Sequence, residues 1–398
     1  MALQIQTYLS RFDGSFGAEL STASQFLLVG VRSSQNGNAV RKRLKNLCPA
    51  AQIHISTTCQ GIMTEKAVGL HEDDIAMMTF EDVGSAFGTA GARLEDPHAI
   101  KQSTNLLLQR AELRAERAGE LPAMVWMSAP PGSEEKVIKA IQEYYIGPVL
   151  ISGGSAADDH INGSWWVGDQ EETYPQGLVI SLLYTQAKLT TRFSAGYQIA
   201  GCRGTITAGG SREIIAIDNR KAAEVYNEWC KGSLSPYFPD GNILKVSTYQ
   251  PLAIQCGQLA MTPYHRIVHP SQIHPSGSIS TFADIAIGDN IVLLQGDEDS
   301  LVSRAQRVVQ CALLEADVST EDIICAQMIF CAGCFLAIKD RIQEVWEGIA
   351  SELPNVPMLC QFTFGEQGVF PDGKIAHGNL MISIVIWSQT KDLDSWFD

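Results

Sequence analysis

The sequence predicts an α/β (α+β) protein of layered mixed sheets, built from repeated strand–helix–strand–strand units in two packed domains. Residues 322–387 and 123–184 share one order of features: an apolar run, a helix, a proline, a second apolar run with a small-residue tip, a loop and a last apolar run. A fainter copy covers residues 25–80. Such self-similarity indicates that one supersecondary unit has been used more than once.

Each copy contains a predicted helix, and a proline follows each helix within a few residues. In the middle copy, Ser133 is a candidate N-cap, because its hydroxyl can accept a backbone N–H at the helix start. In the last copy, apolar residues recur at intervals of three and four, which places them on one helical face. These residues are Ile338, Ile342, Val345 and Ile349.

The apolar runs between the helices predict strands that are covered on both faces. The runs LVISLLY (178–184) and LMISIVIW (380–387) lack the alternation of polar and apolar residues that a half-exposed strand shows. Continuous apolar strands are typical of central strands in sheets with layers on both sides. We therefore expect layered sheets rather than an open one.

Composition limits the function classes. The chain has 398 residues and a formal net charge of -15, which argues against nucleic-acid binding because phosphate contacts need concentrated Lys and Arg. The length suggests two domains. Residues 232–242 (GSLSPYFPDGN) combine prolines and glycines as a linker does, so we predict domains at residues 1–232 and 233–398.

The sequence predicts a cytoplasmic protein that does not span a membrane. No apolar run approaches the ~20 residues that a bilayer-spanning helix needs. The first residues, MALQIQTYLSRFDG, lack a basic region followed by an apolar core. Ten cysteines without a dense framework are typical of reduced thiols.

A cysteine pair, Cys331 and Cys334, lies where an apolar strand is followed by a helix. The C-x-x-C spacing lets both sulfurs reach one ion or each other, and a helix start stabilises a thiolate. A second pair at zinc-ribbon spacing is absent from the sequence. Three alternatives therefore remain: plain packing, a ligand contact, and metal, cluster or redox chemistry.

The tips of the repeated strands carry small residues and carboxylates. In the last copy the tip residue is Glu366, and in the middle copy the tip contains Gly153, Gly154, Ser155 and Asp158. Open α/β sheets bind ligands beyond their strand ends, and backbone N–H groups beside glycines can hold an anion. The alternative is a tight turn that an Asp side chain caps.

His377 and Asn379 precede the last predicted strand, and both side chains can donate and accept hydrogen bonds. We predict that Cys331, Glu366, His377 and Asn379 meet in one crevice, because the strand ends that carry them should lie at the same edge of one sheet. A histidine satisfied within a turn is the alternative for His377.

Residues 262–278 read as an irregular loop that contains His265, His269 and His274. A histidine cluster can bind haem iron or a metal. Two of the three precede a proline, however, which is also ordinary loop chemistry. The sequence has no C-x-x-C-H motif, which excludes covalent attachment of haem.

The order of motifs resembles that of the FIST family, the F-box and intracellular signal-transduction sensory domains. The resemblance runs from about Gln25 to Trp387. The motifs that carry it are QIHISTTCQG (52–61), GGSAADD (153–159), SAGYQIAGCRGTITAGG (194–210), FCAGC (330–334), FTFGEQG (362–368) and HGNLM (377–381).

The resemblance implies a sensory, ligand-binding role with output through a partner, such as a histidine kinase or a diguanylate cyclase or phosphodiesterase. Some bacterial members of the wider family are haem-containing nitric-oxide sensors. Two positions depart from the family pattern. Cys334 replaces an arginine that many relatives carry, and Gly378 splits the usual His-Asn pair, so a ligand held through that arginine is not expected here.

We therefore expect a non-catalytic sensor of a small ligand, without nucleic-acid or membrane partners. One alternative is a haem-dependent nitric-oxide or redox sensor that regulates a histidine kinase or a cyclic-dinucleotide enzyme. The other is a cysteine-dependent enzyme with His377 as its base. No phosphate loop, nucleophile elbow or dinucleotide fingerprint occurs. The predicted ligand contacts are Gly153, Gly154, Ser155, Asp158, Cys331, Cys334, Glu366, His377 and Asn379.

Overall fold

Three similar units and an inserted sheet make up the computed structural model, which describes residues 3–13, 16–17, 19–259 and 262–390. These residues form four sheets, of which three have six strands and one has eight. The predicted mixed α/β class is confirmed. Every helix in these ranges is too short or too polar to cross a bilayer.

The first unit contains a single helix. Its elements are β1 (Gln4–Arg11), β2 (Phe26–Arg32), α1 (Gly37–Leu47), β3 (Gln52–Thr58), β4 (Ile62–Thr64), β5 (Val68–Gly69) and β6 (Asp74–Glu81). The second unit adds a helix before its central strand. Its elements are β7 (Ala86–Arg93), α2 (Ile100–Ala115), β8 (Met124–Ser128), α3 (Glu134–Tyr144), β9 (Leu150–Gly154), β10 (Trp166–Gly168), β11 (Thr173–Pro175) and β12 (Gly177–Tyr184).

The third unit begins with β13 (Lys188–Ser194) and is then interrupted by the fourth sheet. The inserted elements are β14 (Gln198–Ile217), β15 (Arg220–Lys221), α4 (Ala222–Trp229), β16 (Gly241–Asn242), α5 (Leu244–Ser247), β17 (Leu252–Leu259), β18 (Thr262–Ile267), β19 (Pro270–Ile273), β20 (Ile279–Ile285) and β21 (Asn290–Gln295). The third unit then resumes with α6 (Glu298–Ala316), β22 (Ile323–Cys331), α7 (Ala332–Ala337), α8 (Ile342–Glu352), β23 (Met358–Thr363), β24 (Glu366–Val369), β25 (Ile375–Gly378) and β26 (Ile382–Ser388).

The sheets of the three units have the same strand pattern. A parallel pair lies at the centre of each: β2 with β3, β8 with β9, and β22 with β23. On one side of this pair, two antiparallel strands of the same unit complete the sheet: β6 and β1, β12 and β7, or β26 and β13. The repeat predicted for residues 123–184 and 322–387 is therefore confirmed, and the fainter first copy has the same topology.

On the other side of each parallel pair lies a hairpin that comes from a different unit. The hairpin β10–β11 of the second unit pairs with β3 of the first. The hairpin β24–β25 of the third unit pairs with β9 of the second, and β4–β5 of the first pairs with β23 of the third. We call these the exchanged hairpins, and their exchange closes a ring of three units.

The inner faces of the three sheets meet in one central core. Phe80 of the first unit packs against Trp387 of the third, with ring centroids 5.4 Å apart, and Trp126 of the second unit belongs to the same cluster. The outer faces are covered by helices: α1 on the first sheet, α2 and α3 on the second, and α6 and α8 on the third. Layers on both faces explain the continuous apolar strands.

Three local expectations differ from the structure. Ser133 occupies the N-cap position of α3, but its hydroxyl donates to the carbonyl of Pro130 at 2.8 Å and does not cap the helix. Ile338 ends α7, so the predicted helical face is carried by α8 alone. Residues 262–278, expected to be a loop, contain β18 and β19, because their backbone pairs with β17 and β20.

The domain boundary between residues 232 and 233 stays a prediction. It falls inside the fourth sheet, because β14 lies before it and pairs with β20 and β21, which lie after it.

Candidate functional site

A cavity of about 780 Å³ lies where the second unit, the third unit and the fourth sheet meet. This volume is within the range of small-molecule sites in proteins. Its wall is largely apolar, and the rings of Trp165 and Phe364 meet edge to face there, with centroids 5.9 Å apart. Other apolar residues of the wall are Pro131, Ile161, Leu244, Phe282 and Leu336.

A few polar side chains also reach this cavity, and both sequence halves supply them. They include Glu134, Asn162, Arg212, Lys245, His269, Cys331 and Asn379. An apolar wall with a small number of placed polar groups is typical of a ligand site, because the polar groups fix the orientation of the ligand.

Glu134 is a buried carboxylate in the first turn of α3, where the helix N-terminus favours negative charge. Its Oε1 accepts the hydroxyl of Ser155 at 2.6 Å, and its Oε2 accepts the backbone N–H of Gly132 and Nη2 of Arg212, each at 2.8 Å. Arg212 also donates to Glu135 at 2.6 Å. Burial alone would lower the pKa of Arg212, but the two glutamates outweigh this effect and raise the pKa.

His377 is buried beside Glu134, with its Nε2 3.9 Å from Glu134 Oε1 and without a hydrogen-bond partner. Its Nδ1 lies 3.2 Å from the amide nitrogen of Gln367, which can only donate. Nδ1 is therefore the acceptor, and a neutral ring carries its proton on Nε2. The imidazole proton thus points towards the carboxylate.

Glu134, Glu135 and His377 have the donor atoms of a divalent-metal site, all within 4.8 Å of one another. Carboxylate oxygens and an imidazole nitrogen suit zinc and related ions. Two features of the arrangement oppose a metal. Arg212 already provides the positive charge for both carboxylates, and Nε2 of His377 carries the proton that a metal would have to replace.

A second buried cluster, here called the Arg304 cluster, lies behind the cavity wall. It consists of Tyr197, Arg304, Cys331, Cys334 and Glu366. Arg304 is completely buried, and its guanidinium lies 4.9 Å from the ring of Phe330. Its Nη1 donates to the carbonyl of Leu380 at 2.8 Å and to that of Ala195 at 3.1 Å.

The two cysteines of this cluster have opposite pKa shifts. Burial alone would raise the pKa of Cys334, but a hydrogen bond from Cys331, the charge of Arg304 and the hydroxyl of Tyr197 lower it to about 6. Burial raises the pKa of Cys331, and the neighbouring Cys334 and Glu366 add to this increase. Cys331 therefore keeps its proton and donates it towards the sulfur of Cys334.

Glu366 is completely buried at the start of β24. Burial raises the pKa of its carboxyl well above the usual value, although the backbone N–H of Met381 donates to Oε2 at 3.0 Å and opposes this increase. The hydroxyl of Thr363 lies 3.4 Å from Oε1. Glu366 thus joins the exchanged hairpin to the segment before β26.

Gly153 and Gly154 form the end of β9 and pair with β24. Gly153 has a φ of 143°, and a Cβ there would overlap the carbonyl oxygen of Met127; a Cβ on Gly154 would overlap Thr363. The close approach of β8, β9 and β23 therefore accounts for both glycines. Neither is among the residues that line the cavity.

Asp158 shapes one edge of the cavity from behind. Its carboxylate accepts four backbone N–H groups, those of His160, Asn162, Gly163 and Ser164, at 2.9–3.2 Å. Asn162 and Gly163 line the cavity. Asp158 therefore acts through the loop that it caps, which is the turn-capping alternative that the sequence left open.

The structure brings most of the predicted site residues together, but for a different reason from the one expected. Cys331 and Asn379 line the cavity, Glu366 lies beside Cys331, and His377 lies beside Glu134. The expectation of one sheet edge was wrong. Glu366 and His377 belong to an exchanged hairpin in the second unit's sheet, whereas Cys331 ends β22 in the sheet of the third.

The three histidines of residues 262–278 do not form a cluster. Only His269 reaches the cavity, and its Nε2 lies 2.9 Å from the hydroxyl of Ser247. Complete burial lowers the pKa of His269 to about 3. His274 instead pairs with Ser280 at 2.7 Å, and His265 lies on β18 opposite Gln255.

Sequence reasoning missed several residues of the site. Glu134 follows Pro130 and Pro131 at the start of α3, and this stretch of sequence has no pattern that marks a ligand site. Arg212 comes from β14 of the fourth sheet, which is not part of the repeat, and it lies just beyond the motif at residues 194–210.

Two family models match the chain: the FIST N domain over residues 25–220 and the FIST C domain over residues 222–369. The chain belongs to the FIST family. FIST domains are sensory domains of signal transduction. The border between the two FIST matches falls at the start of α4, inside the insertion that carries the fourth sheet.

No curated protein matches the sequence. Among solved structures, the FIST chain is similar to a cyanuric acid hydrolase from A. caulinodans, with a TM-score of 0.39 and 8% identity over 98% of this chain and 100% of that one. A second cyanuric acid hydrolase structure gives a TM-score of 0.37 and 8% identity over 98% and 100% of the two chains. Similarity this distant carries no inference about chemistry.

Proposed function

We propose that this FIST protein is a cytoplasmic sensor that binds a small ligand in the cavity and signals through a partner protein without transforming the ligand. The observation that carries the proposal is the composition of the cavity wall. Glu134 and Trp165 come from the FIST N half, and Cys331 and Phe364 come from the FIST C half. A ligand that contacts both halves stabilises the arrangement in which they meet.

The cavity wall indicates the chemistry of this ligand. Aromatic rings suit a flat apolar body. Oδ1 of Asn379 is buried without a hydrogen-bond partner, so it can accept an N–H or O–H of the ligand. Arg212 is neutralised by its carboxylates, whereas no ion pair involves Lys245 among the described residues. Lys245 is therefore the cation available to an acidic group.

The surroundings of the thiols support binding rather than catalysis. The alternative enzyme, with His377 as its base, needs that imidazole in contact with the sulfur of the cysteine nucleophile. The neighbours of Cys331 are Cys334 and Glu366. His377 lies on the exchanged hairpin, and its ring faces Glu134 instead. The cavity histidine, His269, is a weak base because burial lowers its pKa to about 3.

The dye 1-anilinonaphthalene-8-sulfonate tests the site, because it combines aromatic rings, one N–H donor and an acidic group. We expect saturable fluorescence enhancement and an increase in melting temperature, since a ligand at a hundredfold excess over its Kd stabilises the folded state by about 2.7 kcal/mol. Ala337→Trp places an indole in the cavity wall and should abolish both effects. Leu314→Trp is the matched control, because Leu314 is 81% exposed.

Two further variants test the predicted site residues. Glu366→Ala and His377→Ala should weaken the dye-induced melting shift, because each removes a buried group that positions the cavity wall. Full retention of the shift in both variants, or equal dye binding by Ala337→Trp and Leu314→Trp, would place the ligand outside this cavity.

The proposed partner is a histidine kinase, a diguanylate cyclase or a phosphodiesterase, since FIST domains act in signal transduction. The test adds the purified protein to a candidate partner enzyme with and without the dye. We expect the partner's rate to depend on the dye for the parent and not for Ala337→Trp. Equal rates for both proteins contradict signalling through this cavity.

Haem is a second candidate ligand because a buried histidine faces the cavity. Ser247 donates its hydroxyl to the carbonyl of Pro270 at 2.7 Å, so it accepts the Nε2 proton of His269 and leaves Nδ1 free to coordinate. His269 would then hold the iron, which supplies gas or redox sensing. A Soret band that appears on haem addition and disappears with His269→Ala would support haem, and an unchanged spectrum of added haem would exclude it.

A further inference from the structure

The two cysteines of the Arg304 cluster face different environments. Cys331 lines the cavity, whereas Cys334 faces the guanidinium of Arg304 and the hydroxyl of Tyr197, which lies 3.5 Å from its sulfur. The two side chains are in hydrogen-bonding contact with each other. Cysteines three residues apart at the start of a helix can form a disulfide with little movement of the backbone.

The cavity gives reagents a route to Cys331. Gly333 also lines the cavity, and a Cβ at that position would lie 3.6 Å from the sulfur of Cys331 and 3.1 Å from Leu380. Because glycine has no side chain, this approach to the sulfur stays open. Cys331 is only 3% exposed, so the cavity rather than the outer surface provides the access.

The positive charge of Arg304 stabilises a thiolate in the pair Cys331 and Cys334. A thiolate is the nucleophilic form of cysteine, and a neighbouring cation favours it. The guanidinium of Arg304 and the hydroxyl of Tyr197, 3.5 Å from the sulfur, lower the pKa of Cys334 and favour its thiolate, whereas Cys331 keeps its proton. Cys334 can therefore accept the proton of Cys331 when the sulfur of Cys331 attacks a reagent in the cavity. No other pair of the free cysteines has this arrangement among the described residues.

We propose that Cys331 and Cys334 are a site of reversible oxidation, at which an organic hydroperoxide in the cavity converts the dithiol to a disulfide. This proposal goes beyond the binding of a reversible ligand. The sulfur of Cys331 attacks the terminal peroxide oxygen, an S–O bond forms, the O–O bond breaks, and the leaving oxygen takes a proton to become an alcohol. Cys331 is then a sulfenic acid.

Cys334 resolves this intermediate. Its thiolate attacks the sulfur of Cys331, the S–S bond forms, the S–O bond breaks, and the oxygen leaves as water after it accepts a proton. In sum, two thiols and one hydroperoxide give one disulfide, one alcohol and one water. The sulfurs lose two electrons and the peroxide gains them, so no further oxidant is required.

The disulfide changes the cavity wall through Arg304. Oxidation removes the thiolate beside a completely buried guanidinium, and an unpaired buried charge is costly. Arg304 also donates a hydrogen bond to the carbonyl of Leu380. The residue before Leu380 is Asn379, and Asn379 lines the cavity. Oxidation of the pair should therefore reposition Asn379 and alter what the cavity binds.

The test uses the parent protein and cumene hydroperoxide. After treatment, the chain is unfolded, its thiols are labelled with N-ethylmaleimide, and the labels are counted by mass spectrometry. We expect a loss of two labels per chain, located by peptide fragmentation at Cys331 and Cys334 and restored by dithiothreitol. Full labelling of both cysteines, while other cysteines of the chain lose labels, would overturn the proposal.

Variants separate the chemistry from folding. Cys334→Ser should leave Cys331 as a sulfenic acid that dimedone traps, and Cys360→Ser should lose two labels like the parent, because Cys360 is a buried cysteine with a raised pKa. Gly333→Ala should slow oxidation by cumene hydroperoxide at least tenfold more than oxidation by hydrogen peroxide. Equal slowing of both oxidants would mean that the cavity is not the route.

Discussion

Nε2 of His377 lies 3.9 Å from Oε1 of Glu134, although the two residues belong to different units. His377 is on the exchanged hairpin β24–β25, and Glu134 begins α3 of the second unit. Ser155 completes the contact, because its hydroxyl donates to Glu134 and accepts from Gln367 of the hairpin at 3.3 Å. The exchanged hairpin of the third unit thus helps to position Glu134, a cavity residue that belongs to the second unit.

Arg212→Gln should destabilise the protein strongly. The substitution leaves Glu134, which is 2% exposed, without its cation, and loss of one partner of a buried ion pair costs about 3–5 kcal/mol. Urea unfolding measures this change. Arg220→Gln is the control, since Arg220 and Glu228 are exposed and such pairs contribute about 0.2–1 kcal/mol. Equal losses for the two variants would contradict the role of Arg212.

Stability should fall as the pH is lowered from 6.5 towards 3. Complete burial lowers the pKa of both His54 and His269 to about 3, so below pH 6.5 the unfolded chain binds protons that the folded chain does not. Each such histidine changes the free energy of unfolding by up to about 1.4 kcal/mol per pH unit. Urea unfolding at several pH values gives the slope.

His54→Gln should reduce this slope by about one proton's contribution in the same pH range. His54 is held between the hydroxyls of Ser181 and Ser128, each 2.9 Å from a ring nitrogen, so the variant is also less stable at neutral pH. The slope, not the absolute stability, is the measurement. His160→Gln removes an exposed histidine and should leave the slope unchanged.

Gly153→Ala should prevent correct folding, seen as insoluble protein or a large loss of melting temperature. Its φ of 143° is strained for any side chain, and a methyl group would overlap the carbonyl oxygen of Met127. Gly210→Ala is the matched control, because nothing lies within 4 Å of a Cβ there. A soluble Gly153→Ala protein with parent stability would contradict the packing of β9 on β8.

Asp158→Ala should both weaken dye binding and lower stability. The loop of residues 160–164 loses the acceptor of four N–H groups, and hydrogen bonds to a charged group contribute about 1.5–3 kcal/mol each when buried. Asp158→Asn keeps one acceptor oxygen and should give an intermediate dye affinity. Fluorescence titration distinguishes the three proteins, and an unchanged affinity for Asp158→Ala would show that this loop does not shape the site.

The local elements of the fold follow from the sequence, whereas their assembly does not. The stripe of Val345 and Ile349 and the run at 178–184 predicted α8 and β12, because helix and strand periodicity are local properties. The pairing of β4 with β23 depends on contacts between residues far apart in the chain. The sequence of such a short edge strand has no pattern that predicts the strand with which it pairs.

The site was predictable only in part for the same reason. Cys331 and Asn379 stood in recognisable motifs, and both line the cavity. Arg212 lies on a long strand with a mixed burial pattern, where one exposed-looking arginine resembles any other. Arg212 has a role in the site because it pairs with the carboxylates of Glu134 and Glu135. These residues are far from Arg212 in the sequence, so the sequence does not predict the contact.

The exchanged hairpins impose a condition on any fragment of the chain. One unit on its own would leave the outer edge of its second parallel strand bare and would hold a hairpin without a sheet to join. Three copies of one unit, however, could cover every such edge by passing their hairpins around a circle. The architecture is therefore that of a cyclic trimer whose three units are joined in a single polypeptide. The hairpin of each unit fits the sheet edge of its neighbour rather than the edge of its own sheet.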